Sequence, residues 1–201
     1  VLTHGAQRGV TLIELAIGLA IVGILLALAL PNFTIFIQNT QIKNAAETAL
    51  TGITLARSEA VRRNASVRFQ LVSNLTGGCV LDATQLNWVV SLTDPTGLCN
   101  VAPHDTNPPQ TIQSKSGQEG TRNVIVTATG GPSVVFNALG RMSGAGLSKL
   151  VLRNPTGGTC EHEDAVSGTM RCLQIEISTG GQVKLCDPKV TDATDPRRCD
   201  T

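Results

Sequence analysis

Arg8-Gly9-Val10-Thr11-Leu12-Ile13-Glu14-Leu15 opens an apolar run that continues to Leu30, with Glu14 as the only charged residue between Val10 and Leu30. At about 1.5 Å per residue the run spans roughly 31 Å, close to one hydrocarbon core. An acid in such a run costs roughly 2.5–3.5 kcal/mol at mid-membrane and less near an interface. A plain single-pass anchor has no packing reason to carry one, so Glu14 is expected to have a task. The flank before it holds Arg8 and His4 and no apolar stretch of the kind a secretory signal places before its cleavage site. Arg8 favours a cytoplasmic N-terminus.

Beyond the run, Ile42, Ala46, Ala49, Ile53, Ala56 and Ala60 recur at alternating spacings of four and three. That spacing draws an apolar stripe along one helix face. Gln41, Lys43, Asn44, Glu47 and Thr48 fall on other faces, and Glu59 is within reach of Arg62 and Arg63. The expected element is one helix from Thr11 to Arg63, bent near Pro31, where proline removes the donor that Ala27 would have accepted. A coiled coil is the alternative. The stripe covers few heptads, however, and its alanines suit close docking onto a sheet.

After Asn64 the pattern changes to short alternating segments between Gly, Pro, Asn and Asp clusters. Strands are expected at 66–72, 86–93, 123–128, 133–137, 149–153, 171–178 and 182–186, with Thr179-Gly180-Gly181 as a hairpin turn. A helix followed by antiparallel strands is an α+β arrangement. Pro95 to Gly120 reads as one long polar loop. The part beyond the helix is large enough for one core and not two. Its aromatics are few: Phe69, Phe136 and Trp88, while Phe33 and Phe36 sit just past Pro31. The core must therefore be mostly aliphatic.

All six cysteines, Cys79, Cys99, Cys160, Cys172, Cys186 and Cys199, lie beyond the apolar run. An even number in an exported domain favours disulfides, and fifteen connectivities remain open. Nearest-neighbour pairing is preferred, because each bond would close a loop near strand ends. A zinc site at Cys160, His162 and Cys172 is the rival, weakened by the lack of any Cys-x-x-Cys. No metal or cofactor is expected.

Catalytic constellations are missing as well. His162-Glu163 has no second His at helical spacing, His104 sits in a Pro-rich loop, and there is no phosphate loop, nucleophile elbow or dinucleotide fingerprint. An enzyme is not expected. Asn64-Ala65-Ser66 and Asn74-Leu75-Thr76 fit the N-glycosylation pattern.

The octapeptide with its apolar run resembles the processing motif of type IV prepilins and type II secretion pseudopilins. The resemblance implies a leader at 1–9, cut by prepilin peptidase after Gly9, and N-methylation of Val10. It also implies a membrane or filament-core half of the helix at 10–30, an amphipathic half at 31–64 and a disulfide-stapled β domain at 65–201. Glu14 becomes an assembly contact to the α-amine of Val10, in the same or a neighbouring subunit, and Pro31 marks the exit from the membrane. The usual first mature residue is Phe, from which Val10 departs. The implied fold is the pilin one, a long N-terminal helix on an antiparallel β-sheet or β-sandwich.

Arg57-Ser58-Glu59-Ala60, Arg68-Phe69, Asn87-Trp88-Val89-Val90, Val135-Phe136-Asn137, Gly140-Arg141 and the closing Ile175 to Cys186 stretch look like the GspH/FimT group. The group implies a minor pilin in a tip or priming complex, with other minor and major pilins as partners. It implies residence in the inner membrane before assembly, and in the periplasm or an extracellular pilus afterwards. Two alternatives remain. One is a type II secretion pseudopilin. The other is a DNA receptor for transformation, carried by Lys184, Lys189, Arg197 and Arg198. FimT-like DNA binders have Gly-Arg-x-Arg where this chain has Gly181-Gln182-Val183-Lys184. Beyond Pro31 there are 15 basic and 14 acidic residues, so no strong positive footprint exists.

Overall fold

The computed structural model describes residues 9–117, 119–161 and 168–200, with backbone alone at 28–32. The leader residues His4 and Arg8, the Pro31 side chain and His162-Glu163 lie outside the described residues; the backbone at Pro31 is helical.

Helix α1 (Leu12–Arg63) is one 52-residue element. Thr11 caps its start, and Asn64 ends it in a left-handed conformation, donating its backbone N–H to Ala60 and Val61. The expected stripe is the docking face. Ile42, Ala46, Ala49, Ile53, Ala56 and Ala60, joined by Ala45, are fully buried. No described helix segment is long and apolar enough to cross a membrane. The expected span also takes in residues 28–30, whose side chains lie outside the described residues.

Among the described residues eight strands follow: β1 (Val67–Val72), β2 (Asn87–Ser91), β3 (Thr111–Lys115), β4 (Ile125–Thr129), β5 (Ser133–Phe136), β6 (Lys149–Arg153), β7 (Leu173–Ile177) and β8 (Val183–Cys186). They form two antiparallel four-stranded sheets, ordered β3-β2-β1-β5 and β4-β6-β7-β8. The α1 helix packs on β1, β2 and β5 of the first sheet and on β6, β7 and β8 of the second. One core therefore unites helix and both sheets, filled by Phe69, Trp88, Phe136, Leu150, Leu152 and Ile175 against the helix stripe. Phe33 and Phe36 stand outside it, exposed to solvent.

One expectation fails. The stretch from Pro95 to Gly120 is not all loop, because β3 lies within it and pairs with β2, Trp88 opposite Lys115 and Val90 opposite Gln113. Thr-Ile-Gln-Ser-Lys is too polar to read as a strand. As an edge strand it buries Thr111 well, Ile112, Ser114 and Lys115 only in part, and leaves Gln113 exposed. The segment before it is also anchored: Thr93 and Leu92 donate to the carbonyls of Pro109 and Gln110.

The strand β2 is buried on both sides. Trp88 and Val90 face the main core, while Val89 joins Val72, Cys79 and Cys99 in a small second cluster behind the sheet. The disulfides join Cys79 to Cys99, Cys160 to Cys172 and Cys186 to Cys199.

Candidate assembly site

The start of α1 is a capping box. The Glu14 carboxylate accepts from the Thr11 backbone N–H at 2.9 Å and from the Thr11 hydroxyl at 2.7 Å. The Glu14 N–H donates back to Thr11 Oγ1 at 3.3 Å. This uses orphan donors of the first turn. In the uncut chain Val10 N is a peptide nitrogen, so pairing with a free amine belongs only to a chain cleaved after Gly9. Thr-x-x-Glu is a readable signal for this cap, and the sequence reading had missed it.

From Val10 to Leu26 the helix carries its apolar side chains in the open. Leu12 is 87% exposed, Leu19 65% and Leu25 61%. An apolar surface of this extent marks a contact with lipid or other protein.

Where the helix meets the domain, the contact turns polar. The fully buried Asn154 donates through Nδ2 to Gln38 Oε1 and, at 3.2 Å, to Gln41 Oε1. Asn39 Oδ1 accepts from the Arg171 N–H at 2.8 Å. Arg171 Nε in turn donates to the buried Asp187 at 2.6 Å. No periodicity marks Gln38 as the partner of Asn154, or Asn39 as the partner of Arg171, because each pair is more than a hundred residues apart in sequence.

The far end of the helix is tied by charge. Glu59 accepts from Arg62 at 2.9 Å and from Arg63 at 2.7 Å. Hydrogen bonding from Arg62 first, and then from Arg63, holds the Glu59 carboxyl below its ordinary range against the opposing effect of burial. Arg63 also reaches Asp105 at 2.7 Å.

The candidate DNA-contacting cations are mostly engaged with acids. Lys184 pairs with Asp200 at 2.8 Å, Lys189 with Glu161 at 2.5 Å, and Arg197 with Asp195 at 2.7 Å. Arg198 is partly buried beside the last disulfide. The tail folds back onto β8: Asp187 N–H donates to the Arg197 carbonyl at 2.8 Å, and Asp200 N–H to Glu176 at 3.0 Å. Glu176, Cys186 and Cys199 come close enough to suggest a metal site. Both sulfurs are bonded to each other there, so they offer no thiolate. Cys160 and Cys172 are likewise bonded.

A family model described as type II transport protein GspH matches residues 45–181, and one for the prokaryotic N-terminal methylation motif matches residues 5–30. The pilin-like protein PilA1 of Thermus thermophilus is 42% identical over 79 residues, which is 39% of this chain and 49% of that protein. The chain thus spans about half the length of that curated relative. Among solved structures, the type IV minor pilin FimU of Pseudomonas aeruginosa aligns in two crystal forms. In one the TM-score is 0.47 at 14% identity, covering 78% of this chain and 99% of that one. In the other it is 0.40 at 15%, covering 75% and 99%. With the GspH model matching more than half of the residues, the chain belongs to the GspH family and is a type IV pilin-like protein of the GspH/FimT kind.

Proposed function

We propose that the chain is a minor pilin, a low-copy subunit of a tip or priming complex that starts assembly of a type IV pilus. The exposed apolar half of α1, with its single acid held at the first turn, carries this reading. A filament core or bilayer would cover that surface. The match to the N-terminal methylation motif supports cleavage after Gly9, N-methylation of Val10 and residence in the inner membrane before assembly. Prepilin peptidase and other pilins are the corresponding partners. On cleavage, the new Val10 amine would compete with Thr11 for the Glu14 carboxylate, or recruit the carboxylate of a neighbour. Charge pairing in a low dielectric is favourable only where the geometry is good, so the pair would select correctly stacked neighbours.

The test is Glu14→Ala beside Thr11→Ala. Glu14→Ala is expected to insert into membranes and fail to enter filaments, whereas Thr11→Ala, which removes only the cap, should still assemble. Normal incorporation of Glu14→Ala would overturn the assembly role. The family description also supports a second reading, a type II secretion pseudopilin. Loss of pili in a deletion strain with secretion intact would favour the first reading; loss of secretion with pili intact would favour the second.

A further inference from the structure

We propose that the C-terminal strap and the outer face of the second sheet together form a binding pocket for a small oxyanion, a carboxylate or phosphate group, held by Lys149 and Arg198. The pocket, about 580 Å³, is lined by these two cations with Gln174, Thr191, Pro188, Val190 and Cys199, and among the described residues no carboxylate lines it. Its size suits a small-molecule group.

The acids nearby are hydrogen-bonded or ion-paired, Glu176 to neutral donors alone, and Glu176 and Asp200 line a neighbouring cavity that Lys149 also borders. Glu176 stands opposite Lys149 in the β6–β7 register. Yet its Oε1 accepts from Gln174 at 2.7 Å, and its Oε2 accepts from the Asp200 N–H at 3.0 Å. Asp187 is buried against Arg171. Asp195 gives one oxygen to the Arg197 Nε and the other to its Nη2. Among the described residues, Lys184, Lys189 and Arg197 have carboxylate partners, and Lys149 and Arg198 have none.

Both cations are set on fixed backbone. Lys149 belongs to a strand paired on one side with Thr129 and on the other with Glu176. Arg198 donates its backbone N–H to the Asp195 carbonyl at 3.1 Å and precedes Cys199, which is bonded to Cys186. Two like charges lining one pocket repel each other, and an oxyanion between them relieves that repulsion with charge-assisted hydrogen bonds. Pro188 and Val190 leave an apolar wall for an adjoining organic part. The site is separate from the helix and independent of the filament role.

The test is an NMR titration of the full chain in neutral detergent, with sodium phosphate and sodium acetate at ionic strength held constant by chloride. Saturable shifts are expected at Lys149, Thr191 and Arg198. The Lys149→Gln/Arg198→Gln double variant should lose affinity about tenfold or more, and Arg198→Lys should retain most of it. Lys43→Gln, on the helix, should bind as the parent does. Preference for phosphate points to a phosphorylated ligand and preference for acetate to a carboxylate; either upholds the site. Shifts that do not saturate, or unchanged binding by a double variant whose remaining spectrum is native, would overturn it.

Discussion

Arg57 Nε donates to the Gly140 carbonyl, 3.2 Å away across 83 residues of sequence. Gly140 and Gly181 both hold left-handed conformations, with φ of 70° and 82°. A Cβ on Gly181 would run into the same Gly140 carbonyl oxygen. The helix, the 137–141 turn and the β7–β8 hairpin thus meet at one corner where only glycine fits.

Gly181→Ala should therefore destabilise the protein by about 2 kcal/mol or more, combining backbone strain with the collision. Gly144→Ala is the control: Gly144 also has positive φ, 76°, but open space around its Cβ position. Its cost should be smaller, about 1 kcal/mol. Denaturant midpoints of the two variants give the comparison, and equal midpoints would remove the collision from the account. Arg57→Ala should cost about 1 kcal/mol through the lost hydrogen bond.

Gly52 sits on the helix where a Cβ would lie 2.9 Å from Phe69 Cε2 and 3.1 Å from the Trp88 ring. Gly52→Ala should gain about 1 kcal/mol of helix propensity and lose more to overpacking, for a net loss of about 1 kcal/mol. Trp88 is the only tryptophan. Its emission should shift as the Phe69–Trp88 pair, 5.7 Å between centroids, moves apart. A more stable variant with unchanged emission would contradict this packing.

Acid should weaken the domain in a defined window. Asp94 accepts from the backbone N–H and hydroxyl of Thr96, with Gln70 and Arg68 nearby, and this holds its carboxyl low. Arg62 and Arg63 do the same for Glu59, and Arg197 lowers Asp195 to about 2. Each of these groups binds fewer protons folded than unfolded. Their contribution is complete above the ordinary carboxylate range, about 4, and is lost as pH falls through the lowered values. Asp195 is exposed, so its share is small. Stability measured from pH 7 to 2 should stay level with respect to these groups until about pH 4 and then decline. The decline should be shallower in Asp94→Asn. An identical slope in that variant would exclude Asp94 as a contributor.

Replacing Cys186 and Cys199 with serine should cost about 3 kcal/mol in the chain-entropy model. It should also open the strap to trypsin at Lys189, Arg197 and Arg198. If proteolysis of the variant matches the parent, the strap is held by its hydrogen bonds to Arg197 and Glu176 instead.

The helix face was legible because a docking surface repeats with the helix period, and Ile42 through Ala60 obey it. The strands β4, β5 and β6 are legible because each buries alternate residues; β7 and β8 are legible from the apolar–polar alternation of Leu173–Ile177 and Val183-Lys184-Leu185. The β3 strand did not, because an edge strand with polar Gln113, Ser114 and Lys115 carries little hydrophobic signal. The candidate site was legible only where it is local. Glu14 stands out within its run, and Thr11 is three residues away. The Gln38–Asn154 contact and the Arg57–Gly140–Gly181 corner depend on long-range closeness that no single segment encodes. Asp195 and Asp200 dilute the C-terminal cations already in the sequence; the Arg197–Asp195 pair is local, whereas the fold brings Asp200 to Lys184 across 16 residues.

The small-residue stripe also has a mechanical meaning. The helix is attached to both sheets along a continuous row from Ile42 to Ala60, with Asn154 gripping Gln38 at its lower edge. A pull applied at the exposed end and directed along the axis loads the whole row in shear, so its contacts must yield together. A sideways pull would instead peel them apart one turn at a time, beginning at Gln38. The helix is thus held to the domain more firmly against a pull along its axis than against one across it.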